Sequence, residues 1–226
     1  MRRHVFSSQL DTSTRFVVVG LGSIGKRHLA NLRSLMPDAQ ITVWRQHGQE
    51  TSLADLPDER VNVVYSLADA LAAKPHAALI CNPAPFHVAT AKPLVDGGAH
   101  IFMEKPLSDD MAGVDQLLDA YAERGRVFFV AYPLRFDPAL QAMRAAINAG
   151  EIGKPLSLSA EVGQYLPDWR PQQDYRKGVS ARKDLGGGAL LELSHELDYV
   201  RWLMGDVASV SSRLTKQSNL EIDVED

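Results

Sequence analysis

Cysteine is almost absent from this chain, and so are long apolar runs. The 226 residues include 1 Cys, Cys81, so no internal disulfide can form, which favours a reducing compartment. No stretch approaches the roughly 18 apolar residues of a transmembrane helix. The N-terminal residues lack the apolar segment of a secretory signal. We therefore expect a soluble, cytoplasmic protein with no membrane partner.

An excess of either charge is also missing. Lys+Arg 24 against Asp+Glu 28 gives a net charge of −4, which leaves no broad basic surface for nucleic acid. Hydrophobic residues at 45% and charged residues at 23% are ordinary for a globular protein and exclude collagen-like and wholly disordered chains. The 7 histidines are scattered, and none has zinc-ligand spacing with Cys81, so no metal site is expected.

Strand-like and helix-like segments alternate through the first 134 residues. Short apolar runs predict strands at 16–19, 41–44, 61–65, 77–80, 100–103 and 127–130. Helices are predicted before Pro37, after Ser66, near 88–95 and over 111–124. Such alternation is typical of βαβ units around a parallel sheet. We predict a poorly ordered segment at 1–14 and a doubly wound α/β domain over 15–134.

The pattern changes in the remaining residues, 135–226. Helices are predicted over 138–149 and about 190–204, and strands over 156–162 and 207–214. The alternation within these strands suits an antiparallel sheet with one solvated face. A loop of about 20 residues, rich in Trp, Tyr, Arg and Pro, separates them and is long enough to be a binding loop or lid. We predict a second, smaller α+β domain.

A glycine motif directly follows the first predicted strand. Gly20-Leu21-Gly22-Ser23-Ile24-Gly25 has the spacing G-x-G-x-x-G. Such glycines allow a tight turn, close approach of a pyrophosphate and packing of helix on strand, and the helix N-terminus favours an anion. An ordinary turn is the alternative, but the position between strand and helix is the one that the motif requires. We expect Gly20, Gly22, Ser23, Ile24 and Gly25 to bind a dinucleotide, with positive φ at the first two glycines.

The end of the second predicted strand bears on the choice between NAD and NADP. NAD-binding domains commonly place an acidic residue there to hold the ribose. This chain has Trp44-Arg45-Gln46, and the first nearby carboxylate is Glu50. Arginine can pair with the 2′-phosphate of NADP, whereas a solvated surface arginine is the alternative. NADP is therefore favoured, and NAD remains possible.

Glu104-Lys105-Pro106 ends the fifth predicted strand. Ligands bind at the carboxyl ends of strands in open α/β sheets, so Lys105 is expected near the nicotinamide end of a dinucleotide. A plain charged turn is the alternative for these three residues taken alone.

The order and spacing of the motifs resemble those of the Gfo/Idh/MocA oxidoreductases, from about Phe16 to Gly205. The matching motifs are Gly20–Gly25, Asn82-Pro83 with His87, Glu104-Lys105-Pro106, and a glycine run followed by His195-x-x-Asp198. The resemblance implies an N-terminal Rossmann domain and a C-terminal domain that binds substrate and forms a homo-oligomer through its sheet. It also implies hydride transfer between NAD(P) and a hydroxyl or ketone of a sugar, sugar nucleotide or cyclitol.

The resemblance further implies roles for individual residues. Lys105 would be the catalytic lysine and His195 the general acid or base, with Glu104 and Pro106 positioning Lys105. Residues lining the cofactor would be Asn82, Pro83, His87, Glu104 and Lys105.

Support for His195 is less direct. Many family members have an Asp four residues before the histidine, where this chain has Leu191. Glu192 lies three residues before it and would share a helix face with it, so Glu192 or Asp198 would support His195. A solvated helix charge is the alternative for Glu192.

Substrate candidates come from the segments near the predicted domain boundary and in the long loop. They are Arg135, Tyr165, Trp169 and Arg170. The segment 164–171, with Asp174-Tyr175-Arg176, resembles a subgroup linked to surface-polysaccharide sugar biosynthesis. A packed surface lid is the alternative for this loop.

Two other functions remain open. Family members continue well beyond a position like Asp226, so we expect a short second domain with an exposed sheet edge. A catalytically silent dinucleotide-binding or regulatory protein would suit that expectation, although Lys105 and His195 oppose it. Cleavage of a glycosidic bond through transient NAD-dependent oxidation is the other possibility.

Overall fold

The computed structural model describes residues 14–45, 58 and 60–226. The chain divides into two compact units between Val130 and Ala131. The predicted disordered segment 1–14 lies outside the described residues except for Thr14. That residue is buried, and its carbonyl accepts a hydrogen bond from the Gln40 N–H at 3.0 Å.

A six-stranded sheet organises residues 15–131 and confirms the predicted doubly wound fold. Its strands are β1 (Arg15–Val19), β2 (Gln40–Trp44), β3 (Val61–Val64), β4 (Ala77–Ile80), β5 (His100–Glu104) and β6 (Phe128–Ala131). The order is β3-β2-β1-β4-β5-β6, and the pairings from β3 to β5 are parallel. The order reverses between β1 and β4, which is the position where Rossmann-type sheets bind their ligands.

The helices of this unit lie between the strands. They are α1 (Ser23–Leu35), α2 (Leu67–Ala72), α3 (His87–Asp96) and α4 (Val114–Glu123). Helix α2 begins after Ser66 as predicted, and the Asp69 N–H donates to the Ser66 Oγ at 3.0 Å. Helix α4 begins later than predicted, because Gly113 before it is left-handed with φ 73°.

The apolar side chains on both faces of the sheet are buried. Consecutive residues Val17, Val18 and Val19 are all 0% exposed. Val17 and Val19 belong to the cluster that includes residues of α3 and α4, whereas Val18 belongs to the cluster that includes Leu29 of α1. A parallel strand covered on both sides requires this continuous apolar run. The core therefore holds the carboxyl ends of the central strands side by side.

The second unit is helical where it is regular. It contains α5 (Pro138–Ala149), α6 (Leu166–Trp169), α7 (Ala189–Glu192) and α8 (Ser194–Met204). Helix α5 has the predicted bounds: Asp137 Oδ1 accepts from the Ala139 N–H at 2.9 Å, and Gly150 ends it with φ 75°. The predicted helix over 190–204 is broken at Leu193 into α7 and α8. The long loop contains α6 and 3₁₀ turns at 175–177, 179–181 and 183–185.

The two strands predicted at 156–162 and 207–214 are wrong. Residues 132–226 are all described and contain no strand. Leu156 is 90% exposed and Val210 is 80% exposed. Alternating apolar residues form a strand only where a neighbour supplies backbone partners, and neither segment has one here. The predicted antiparallel sheet, and the oligomer interface expected on it, is thus not part of the described structure. No described helix is both long and apolar enough to cross a membrane.

Candidate active site

The carboxyl ends of four strands align at one edge of the sheet. Val19 is the register partner of both Trp44 and Ile80, and Ile80 is the register partner of Met103. The residues that follow these partners are Arg45, Gly20, Cys81 and Glu104. Parallel pairing therefore brings the glycine motif, the arginine and the Glu-Lys-Pro turn to the same edge.

The three glycines of the motif differ in backbone conformation and in the space available for a Cβ atom. Gly20 is left-handed with φ +85°, and a Cβ there would lie 3.1 Å from the Asn82 backbone nitrogen. A Cβ on Gly25 would lie 2.2 Å from the Gly20 carbonyl oxygen, so only glycine lets α1 pack on the turn. The predicted positive φ at Gly22 is wrong, because its φ is −70° and a Cβ would meet nothing within 4 Å. Space beside Gly22 is left for a ligand.

The N-terminus of α1 suits an anion. Across α1, which is described in full, no side chain caps the first turn and no acidic residue lies in it. The first N–H groups of a helix have no intrahelical partner, and the helix dipole is positive there. The backbone at Gly22, Ser23 and Ile24 thus fits the pyrophosphate of a dinucleotide.

Arg45 lies at the predicted position at the end of β2. Its N–H donates to the Val64 carbonyl at 3.0 Å, which extends the pairing of β2 with β3, and the residue is partly exposed. Glu50, the nearby carboxylate of the sequence, lies outside the described residues.

Glu104 contacts a residue that sequence reasoning missed. Its Oε1 lies 2.5 Å from the His28 Nε2, and both side chains are 16% exposed. The sequence analysis predicted a helix before Pro37 but no carboxylate partner for His28. No local signal marks the pair, since 76 positions separate the two residues. Lys105, which follows Glu104, is partly exposed, and the Lys105–Pro106 peptide is cis.

His87 was predicted to line the cofactor site, but its side chain is buried. Its side chain is 1% exposed, with Nε2 2.7 Å from the Asn82 carbonyl and Nδ1 2.9 Å from the Pro106 carbonyl. Burial lowers the pKa of His87, while the carbonyls of Asn82 and Pro106 oppose that shift. The ring therefore links two backbone turns and offers no surface to nicotinamide.

Asn82 and Cys81 complete this edge. The Asn82 Nδ2 donates to the Thr90 Oγ1 on α3 at 2.9 Å, and Pro83 precedes a 3₁₀ turn at 84–86. Cys81 is buried, and burial followed by the charge of Glu104 raises the pKa of its thiol. A thiol held protonated suits a core residue and not a nucleophile.

In the second unit, the turn at 132–136 holds α8. The Tyr132 ring meets the His195 ring edge-on at 5.7 Å, and Arg135 donates two hydrogen bonds to Asp198, at 2.8 and 2.5 Å. These bonds raise the pKa of Arg135. Tyr132 and Arg135 are three residues apart on the turn, and His195 and Asp198 are three residues apart on the helix. Each pair therefore lies on one side of its element, and the two sides contact each other. Arg135, predicted to bind substrate, is thus engaged with Asp198.

Glu192 and His195 lie on two helices and not on one. Leu193 ends α7 between them, so the single helix expected over 190–204 does not carry both residues. The Glu192 carboxylate accepts a hydrogen bond from the Ser180 Oγ at 2.7 Å. The apolar spacing over 190–204 did not predict the break at Leu193.

Two of the substrate candidates line one cavity of the second unit. This cavity, of about 440 Å³, is lined by Tyr165, Trp169, Ser180 and Glu192, among others. Arg170 is exposed and is not part of that lining. The indole Nε1 of Trp169 is buried and has no hydrogen-bond partner among the described residues. Within the described residues, no group of His, Cys, Asp and Glu side chains could hold a metal ion.

Comparison with known families decides the relationship. Residues 14–132 match the family described as "Oxidoreductase family, NAD-binding Rossmann fold", and residues 140–226 match the "GFO/IDH/MocA C-terminal domain". The chain belongs to the Gfo/Idh/MocA oxidoreductase family. The resemblance noted from the motifs is confirmed.

Relatives of this Gfo/Idh/MocA chain include enzymes named for cyclitols. The chain is 29% identical over 196 residues to myo-inositol 2-dehydrogenase of Thermotoga maritima, covering 85% of this chain and 55% of the relative. Inositol 2-dehydrogenase of Pseudomonas fluorescens SBW25 is 27% identical over 199 residues, with 86% and 55% covered. The chain thus spans about half the length of the curated relatives it matches.

One solved structure illustrates the shared fold. The WlbA dehydrogenase from Bordetella pertussis, in complex with NADH and UDP-GlcNAcA, matches with a TM-score of 0.74 and 23% identity. The match covers 95% of this chain and 61% of that chain. At this identity the likeness shows the fold alone.

Proposed function

We propose that this protein is an NAD(P)-dependent oxidoreductase that acts on a hydroxyl or ketone of a sugar, sugar nucleotide or cyclitol. The observation that carries the proposal is the alignment at the carboxyl edge of the sheet, where Gly20 follows Val19, Glu104 follows Met103, and both partners pair in register with Ile80. Family membership supports the reaction class. The names of the relatives support the substrate class.

The residues of the chain would divide the work as follows. The backbone at Gly22, Ser23 and Ile24 holds the pyrophosphate through N–H groups and the helix dipole. Bound nicotinamide supplies a hydride acceptor or donor. The Lys105 ammonium stabilises negative charge that develops on the substrate oxygen. The His195 imidazole accepts or returns the hydroxyl proton.

Neighbouring residues would support these groups. Glu104 and Pro106 hold the backbone of Lys105 on either side. Asp198 supports His195 by holding α8 through its pair with Arg135, whereas Glu192 contributes to the cavity of the second unit. Asn82 and Pro83, at the end of β4, form the edge of the cofactor site.

NADP(H) is the cofactor that we propose to bind more tightly. Arg45 takes the place where an acidic residue would hold the ribose of NAD. A charge-assisted contact with the 2′-phosphate is worth roughly 1.5–3 kcal/mol, or a preference of about tenfold to a hundredfold. Titration of the wild type and Arg45→Ala with NADPH and NADH tests this. A wild type that prefers NADH, or a variant that keeps the NADPH preference, contradicts it.

The function is tested in two steps. Binding of NADPH and NADH is measured first by nicotinamide fluorescence. A screen for dehydrogenase activity over inositols and UDP-sugar acids then identifies the substrate. If the protein binds neither NADPH nor NADH, the proposal is overturned. Binding without turnover of any substrate favours a silent dinucleotide-binding protein, and glycoside cleavage with retained cofactor and no net absorbance change favours the transient-oxidation alternative.

We also propose that the protein forms a homo-oligomer through its second unit. The exposed apolar side chains at Leu156 and Val210 support this. Light scattering coupled to size-exclusion chromatography tests it, and a monomeric mass at micromolar concentration contradicts it.

A further inference from the structure

His28 and Glu104 join two motifs that the proposed function treats separately. His28 lies on α1, whose N-terminus would hold the pyrophosphate, and Glu104 directly precedes Lys105. Their side chains meet at 2.5 Å. A single contact therefore connects the cofactor-binding helix with the turn that carries the proposed catalytic lysine.

The surroundings of the pair restrict its geometry. The His28 ring packs edge-on against Phe102 of β5 at 5.0 Å, and Phe102 stacks on Phe129 at 5.5 Å. Helix α1 is held close to the strand ends because Gly25 has no side chain to separate it from the Gly20 carbonyl. The imidazole is thus placed by packing on β5 and aimed at the carboxylate that ends the same strand.

A second contact holds the other side of Lys105. The carbonyl of Pro106 lies 2.9 Å from the Nδ1 of His87, a ring that is 1% exposed. Lys105 therefore lies between Glu104, held through its side chain, and Pro106, held through its backbone. The contact at Pro106 comes from α3, whereas the contact at Glu104 comes from α1, the helix that begins within the glycine motif.

We propose that His28 is a positioning residue that holds Lys105 through Glu104 and couples its position to occupancy of the α1 N-terminus. The inference rests on the proposed function. A charge-assisted hydrogen bond is short and directional, so it restricts the carboxylate and the backbone that bears it. Without the imidazole, Glu104 turns toward solvent and the Lys105 turn gains freedom.

Three variants separate this role from simple packing. His28→Leu keeps side-chain volume and removes the hydrogen-bond donor. His28→Gln keeps an N–H donor that can reach the Glu104 carboxylate. Arg27→Gln is the matched control, because Arg27 is an exposed residue of the same helix.

The first measurement does not depend on activity. The rate at which an acetylating reagent modifies Lys105 is measured by peptide mass spectrometry, with and without NADPH. We expect the wild type, Arg27→Gln and His28→Gln to show the same rate of Lys105 acetylation and the same degree of protection by NADPH. For His28→Leu we expect a change of at least about threefold in the rate without NADPH and a smaller effect of NADPH. Should His28→Leu fail to fold, His28→Asn, whose amide is too short to reach, replaces it.

The second measurement uses turnover. We expect His28→Leu to lower kcat by about tenfold or more with little change in substrate KM, and His28→Gln to restore most of it. Unchanged Lys105 labelling in His28→Leu overturns the inference, as does a His28→Gln variant as impaired as His28→Leu. Absence of dinucleotide binding by the wild type overturns the proposed function instead, while the labelling rates without NADPH still test the contact of His28 with Glu104.

Discussion

The two units bury their apolar residues to very different extents. In the first, every residue of Val17–Val19 is 0% exposed, and Leu94 and Leu117 are equally buried. In the second, which is described in full, the buried residues are Ala131, Ala181, the glycines at 186–188, Ser194, Leu203 and Val224. The first unit contains within itself the partners that its sheet requires. The second contains one α-helix with a side-chain cap, α5, and ion pairs such as Arg135 with Asp198.

The largest expected effect is on kcat, when the proposed catalytic residue of either unit is replaced. Lys105→Ala in the first unit and His195→Ala in the second should each lower kcat by about 10²–10⁴, because each removes a charge-stabilising or proton-transferring group. Cofactor affinity should stay nearly unchanged in both. Steady-state kinetics and fluorescence titration measure these quantities, with the exposed Lys154→Ala as control.

Either variant can contradict the assignment separately. Unchanged turnover in a stably folded His195→Ala protein would move proton transfer to another residue. Unchanged turnover in Lys105→Ala would remove the mechanism altogether.

The next effect tests how tightly the first unit is packed. Gly25→Ala should destabilise the protein by about 3 kcal/mol, since overpacking against backbone is costly and the new Cβ would lie 2.2 Å from the Gly20 carbonyl. Gly22→Ala, where space is open, should cost less than about 1 kcal/mol while weakening dinucleotide binding. Urea unfolding measures both. Equal losses of stability in the two variants would contradict the different roles of the two glycines.

A smaller effect tests whether the cavity of the second unit binds substrate. Trp169→Phe removes the buried indole N–H, which has no partner among the described residues. If substrate supplies the acceptor, KM should rise by about fivefold, the equivalent of one net hydrogen bond of ~1 kcal/mol, with kcat unchanged. Stability should not fall, because an unsatisfied donor is lost. An unchanged KM would mean that the cavity does not contact the substrate.

A comparable or smaller effect tests the support of α8. Arg135→Met should destabilise the second unit by about 0.5–1 kcal/mol, since the Arg135 side chain is 44% exposed and solvent weakens its pair with Asp198. Arg135→Lys should recover only part of the loss, because lysine cannot form the two-point contact. Urea unfolding measures both variants. Substrate KM distinguishes this role from the predicted substrate contact, which would raise KM strongly.

The smallest effect is a pH dependence that arises from His87. Burial lowers the pKa of His87 in the folded protein below the ordinary value of 6.5. The unfolded chain therefore binds a proton first as the pH falls, so stability is complete above that value and declines below it. Urea midpoints of the wild type and His87→Gln between about pH 7.5 and pH 5.5 test this. A wild-type slope no steeper than that of the variant would indicate a folded ring that is already protonated.

Prediction from sequence worked where neighbours in the chain decide the structure. Each of the six strands was predicted within a residue or two, because buried parallel strands are short apolar runs between helices. Helix α5 was predicted over 138–149, the bounds that it has in the structure. The strands at 156–162 and 207–214 were wrong, since a strand also needs a partner that alternation cannot show. The pair of His28 with Glu104 was missed for the same reason.

The sequence alone determined the order of the elements, the family and the identity of the chemical groups. Apolar periodicity, caps and the motifs at Gly20–Gly25 and Glu104–Pro106 are local properties, which short segments carry by themselves. Only the tertiary structure decided what those groups touch: His28 on Glu104, His87 between two carbonyls, and Arg135 on Asp198. Such contacts join residues far apart in the chain, and they exist because packing of whole elements brings the side chains together.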